Sequence, residues 1–83
     1  RDGEALDAAR QAVQRAPTYA SCWRVLAAIL ALAGRNEEAH AAMATVLRLA
    51  PAFSLSHLKS MPTRNEASRA RYFEGLRLAG MPD

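Results

Sequence analysis

Few side chains in this chain are of the types that do covalent or metal chemistry, and their spacing is the first thing to weigh. There is one cysteine, Cys22, so no internal disulfide framework is possible. Cys22 directly precedes Trp23 on an expected helix, and no base lies near it in sequence to lower its pKa. It reads as a small helix residue rather than a nucleophile. The two histidines, His40 and His57, fall on different expected helices with no Cys, His or Asp at metal-ligand spacing beside either. His40 reads as a solvent-side residue and His57 as a partly buried stand-in for an aromatic. Asp7, Glu37, Glu38, Glu66 and Glu74 are scattered, as solvated or helix-capping carboxylates are. No Gly-rich phosphate loop is present. These patterns predict no catalytic residue, no metal site and no cofactor.

Charge narrows the partners. Eleven Lys and Arg stand against eight acids, a net charge of +3. The bases are spread along the chain, with a modest cluster at Arg64, Arg69 and Arg71, rather than set in a dense stripe interleaved with aromatics. A nucleic-acid reader is therefore not expected. The near-apolar run from Val25 to Ala33 is too short to span a bilayer, and residues 1–15 lack the pattern of a secretory signal. With Arg1 in first place, the stretch reads as part of a longer, soluble, cytoplasmic protein.

The elements behind these residues are all helical. Residues 2–15 place Leu6, Ala9 and Val13 on one face, with Ala5, Ala12 and Ala16 extending it. Asp2 suits the start, and Pro17 forces Ala16 out of helical geometry. Residues 19–33 are the most apolar stretch. Trp23, Leu26, Ala27 and Leu30 mark one face, and Val25, Ile29 and Leu32 another, so this is expected to be a buried central helix. Gly34 is its expected left-handed terminus. Residues 36–49 follow, with Asn36 as the expected N-cap and Ala39, Met43, Val46, Leu47 and Ala50 facing inward. The short turn between these two helices predicts antiparallel packing. Residues 53–60 allow two turns at most. Thr63 or Asn65 is expected to cap a last helix over 65–79, with Ala70, Phe73, Leu76 and Ala79 on its apolar face and Gly80 and Pro82 closing it.

One periodicity organises these helices. The Ala-Pro step at Pro17 recurs 34 residues later at Pro51. In that register Ala5 aligns with Ala39, Ala9 with Met43, Ala12 with Val46 and Val13 with Leu47. Within one period the chain reads Trp23-x2-Leu26-Ala27-x2-Leu30, then Ala39-x3-Met43, then Pro51. Small residues at 27 and 39 permit close helix approach, and large ones at 23, 26, 30 and 43 fill the space between. This pattern resembles the tetratricopeptide repeat, W-x2-L-G-x2-Y…A-x3-F…P. The resemblance implies an all-α fold of antiparallel helix pairs, an α-solenoid fragment with a C-terminal capping helix. Residues 1–17 would be the second helix of a truncated repeat, 18–51 one full repeat, and 52–83 a degenerate capping repeat, because Ser54, His57 and Ser60 replace Ala20, Trp23 and Leu26.

The tail sharpens the resemblance. Pro51, Phe53, Ser54, Arg64-Asn65, Arg71-Tyr72, Glu74-Gly75-Leu76-Arg77 and Ala79-Gly80-Met81-Pro82 look like the C-terminal region of bacterial multidomain proteins with tetratricopeptide arrays. Those proteins often carry a class III adenylate/guanylate cyclase domain, or alternatively a winged-helix DNA-binding domain. The likeness implies a protein–protein contact scaffold, a regulatory or assembly region with no catalytic residues of its own. Ser21, Arg24, Ala28 and Leu32 would then face a partner on the concave side of the helix over 19–33. The partner would be upstream repeats, a second copy or another protein. Apolar surface near Leu6 and Val13 is expected either to form a homodimer or to dock against the upstream repeat.

Overall fold

Local chemistry stops each helix where it does. The computed structural model describes residues 2–60 and 66–83, and its helices are α1 (Asp2–Arg15), α2 (Ala20–Leu32), α3 (Asn36–Leu49), α4 (Leu55–Lys59) and α5 (Glu66–Ala79). There is no strand among the described residues, so the chain is all-α. After α1 the Tyr19 N–H donates to the Ala16 carbonyl at 3.1 Å, folding the Pro17 turn back on itself. Trp23 locks that turn to α2, its Nε1–H donating to the Pro17 carbonyl at 2.8 Å. Trp23→Phe keeps the ring and removes the donor. We expect a loss of about 1 kcal/mol, read by urea denaturation followed by circular dichroism.

The α2–α3 joint is a Schellman motif. Gly34 takes the left-handed φ of 83° that a Cβ would disfavour. Its N–H donates to Ala31 at 3.1 Å, and the Arg35 N–H reaches back to Leu30 at 2.9 Å. That second bond makes Arg35 the last residue of the α2 terminus, and its carbonyl already accepts from the Ala39 N–H. Arg35, not Asn36, therefore occupies the N-cap position of α3, with no side-chain cap bond, and Asn36 is the first helical residue. The Arg35 guanidinium instead meets Glu38 at 3.2 Å, and Arg10 meets the same carboxylate from α1 at 3.0 Å. The joint leaves no room for a separate cap residue.

The C-terminal half is tied by backbone. Ser54 caps α4, its Oγ accepting from the His57 N–H at 3.2 Å. The helix is five residues long, shorter than the span over 53–60. Gly80 at φ 104° closes α5 in a second Schellman motif, Gly80 N–H to Arg77 and Met81 N–H to Leu76, each 3.0 Å. The tail then returns to α4. Leu55 and Ser56 donate their N–H groups to the carbonyls of Pro82 and Asp83, satisfying donors that a short helix leaves open. The caps expected at Thr63 and Asn65 lie outside the described residues. On the solvent side of α5, a hydrogen bond from Arg77 holds the Glu74 carboxyl below its usual pKa. That contribution is present above the carboxyl's unfolded pKa and lost as pH falls through the lowered one. The exposure of both side chains keeps it small.

α2 is the central helix, as its all-round apolar composition predicts. It packs most extensively on α3, next on α5, then on α1. Ala27 and Ala39 have no exposed surface, which is the close approach that small residues permit. Leu26, Leu30 and Met43 are buried around them, Trp23 is half-buried against the core, and Pro51 is exposed. Leu6, Ala9 and Val13 are buried as well, with α1 laid along α2. Leu6 and Val13 are therefore not surface themselves, and apolar surface near them comes from their neighbours on α1. The other difference lies in α5. It covers α2 and touches α3, whereas α4 packs on α5. No helix among the described residues is long and apolar enough to cross a membrane.

Candidate interaction surface

The four residues expected to face a partner from α2 divide into two pairs, because α5 crosses α2. Ala28 is only 2% exposed. It lies under Gly75, so close that a Cβ added there would stand 2.7 Å from the Ala28 carbonyl oxygen and 3.0 Å from its Cα and Cβ. Ala28 is thus covered by the chain's own fifth helix and not open to a partner.

Arg24 is engaged in the same junction. Its guanidinium lies over the Phe53 ring at 4.1 Å, and its Nε–H donates to the Tyr72 hydroxyl at 3.4 Å. Phe53 in turn meets His57 edge to face at 5.0 Å. A half-buried cation stacked on an aromatic contributes roughly 0.5–1 kcal/mol. Arg24 therefore ties α2 to α5 and to the segment before α4. His57 shares this aromatic contact but is exposed, so it is not the partly buried residue expected. His40 is exposed on α3 beside Gly80.

Ser21 and Leu32 lie on open surface. Ser21 lines a groove of about 400 Å³ with Ala5, Ala8, Ala9 and Ala12 of α1 and Cys22, Val25 and Ile29 of α2. Leu32 lines a smaller cavity of about 130 Å³ with Ala5, Ile29, Ala33 and Arg71. The two share Ala5 and Ile29, so they adjoin along one side of α2. Val25 is 41% exposed there, one of the most exposed large apolar side chains of the fold. Among the described residues Arg71 brings the one charge to this lining. It is exposed and has no hydrogen bond or ion pair among the described residues.

The sequence pattern marks Val25, Ile29 and Leu32 as a second apolar face of a helix expected to be buried, and of these only Leu32 is expected to face a partner. The alanines of α1 and Arg71 were not placed beside it. Position i, i+4, i+7 on a helix apolar all round was the available signal. It could not say which face a neighbour would leave bare. A second shallow cavity of about 280 Å³ is lined by Lys59, Arg69, Ala70 and Phe73, with Arg69 stacked at 5.1 Å over Phe73 and donating to the Lys59 carbonyl. Among the described residues no group of three or more His, Cys, Asp or Glu is placed to hold a metal ion. No protein-family model matches the chain, and no curated protein or solved structure matches it.

Proposed function

We propose that this chain is a protein–protein contact module, a tetratricopeptide-like scaffold that serves as the regulatory or assembly region of a bacterial adenylate or guanylate cyclase. The observation that carries the contact reading is the groove along α2. Its floor and walls are largely apolar, it holds an exposed valine, and Arg71, the one charge among its described lining residues, has no ion-pair partner among them. Surface of this kind on a small helical protein is where a partner lies. The repeat pattern supports the scaffold, since Leu26, Ala27, Leu30, Ala39 and Met43 all lie in the core and Trp23 packs against it. The link to a cyclase rests on the likeness of the tail, from Pro51 to Pro82.

The test uses the complete natural protein that contains this segment. It is incubated with ATP or GTP and a divalent metal, and cyclic nucleotide is measured. Product is expected, and deletion of the segment should change its rate. Absence of product with both nucleotides overturns the cyclase assignment. Binding of the same protein to DNA would then favour the winged-helix regulator as its parent.

A further inference from the structure

We infer that the groove along α2 receives a three-turn amphipathic helix of a partner protein, docked antiparallel to α2 with an acidic first turn against Arg71. The inference rests on the contact-module reading and adds the occupant's chemistry, length and direction. Length comes first. The lining runs from Ser21 to Leu32 on α2. At about 1.5 Å per residue that is roughly 16 Å of helix, or three turns. Three apolar anchors at i, i+4 and i+7 fill such a span.

Shape comes next. The α1 wall is built from Ala5, Ala8, Ala9 and Ala12, so a helix axis can approach closely. The floor offers the larger side chains Val25, Ile29 and Leu32 for the anchors to pack on.

Charge sets the direction. No acidic side chain is among the described residues that line the groove, and Arg71 stands at the Leu32–Ala33 end. A carboxylate facing Arg71 is therefore the complementary group. Carboxylates are favoured in the first turn of a helix, where the N-terminal dipole end adds to their attraction. The docked N-terminus then sits beside the C-terminal end of α2, so the two helices run antiparallel with opposed dipoles. A strand or an extended peptide would leave open backbone donors in an apolar channel that offers no partners for them.

The probe is a fluorescein-labelled peptide of about 14 residues, helical in sequence, with Asp and Glu in its first turn and leucines at i, i+4 and i+7. A second peptide of the same composition carries its acids in the last turn. A third has its leucines scrambled. Anisotropy is followed on titration with the 83-residue chain. The first peptide should bind saturably, the second about fivefold more weakly, and the third not detectably. Val25→Asp should weaken binding by about tenfold or more. Arg71→Glu should remove the preference for the first peptide over the second. Both side chains are exposed, and circular dichroism checks that the helices persist. Ala8→Arg, on the opposite wall, provides a second block should Val25→Asp unfold the chain.

Equal binding of the scrambled peptide, or binding indifferent to Val25→Asp and Ala8→Arg, overturns the proposal. So does sedimentation showing a dimer that Val25→Asp dissolves, because the groove then belongs to a second copy. None of these outcomes touches the cyclic-nucleotide assay, so the proposed parent can stand while the groove assignment fails, and the reverse.

Discussion

Gly75→Leu should detach α5 from α2 and cost the domain roughly 3 kcal/mol, at the upper end of what overpacking does. The atoms that a side chain at 75 would meet are the carbonyl oxygen and Cα of Ala28, at 2.7 and 3.0 Å. Backbone in the middle of a helix cannot swing aside as a flexible side chain does. Separation of the two helices is the only relief, and it opens Leu76 to water and pulls Tyr72 from Arg24. The informative control is Gly75→Ala. In an isolated helix that change stabilises by about 1 kcal/mol, because alanine gives up less backbone entropy than glycine. Here the same Cβ lands on Ala28, so stability should fall instead. Urea denaturation of both variants, followed by circular dichroism, reads the sign. A more stable Gly75→Ala protein would mean that α5 does not cross α2 at this point.

That contact also marks where sequence reasoning reached its limit. The joints were readable because each is decided within a few residues. Pro17 stops α1, Gly34 and Gly80 take positive φ, and Pro51 follows α3. The central place of α2 was readable from its apolar circumference. The burial of Ala27 and Ala39 was readable from their place among the apolar positions of α2 and α3. The crossing of α5 was not, since it depends on two small residues, Ala28 and Gly75, far apart in sequence and unremarkable in type. Packing α5 on α2 buried Ala28, engaged half-buried Arg24 in the same junction, and left Ser21 and Leu32 on the rim of a groove. Arg71 becomes part of that groove only because α5 is carried across. Its neighbours in sequence do not reveal it. The Arg35 cap was missed for a different reason. One residue serves two helix ends at once, and a scan of cap preferences treats each end alone.

Leu76→Ala should cost about 3–4 kcal/mol and lower the melting temperature by roughly 12–20 °C, whereas Leu78→Ala should change stability by less than about 0.5 kcal/mol. The two leucines are the same in chemistry, in helix and in helix propensity. They differ in direction. Two residues apart on an α-helix are about 200° apart around its axis, so one faces the core and the other solvent. Leu76 has no exposed surface and Leu78 is 41% exposed. Removing the Leu76 side chain leaves a cavity beneath α5 that its neighbours, held by the Gly75 contact and the Schellman closure at Gly80, cannot collapse to fill. An 83-residue domain has roughly 4–12 kcal/mol of stability in total, so the first loss is a large share of it and the second is not. Thermal and urea melts of the pair therefore test the rotation of α5 with everything else held constant. Equal losses would place both leucines at the helix flank, and a reversed order would turn Leu78 inward and with it Arg71, which lies two turns before it on the same face, out of the α2 groove. The face that α5 buries and the charge it lends to the groove are thus one geometric fact, measurable without knowing what binds there.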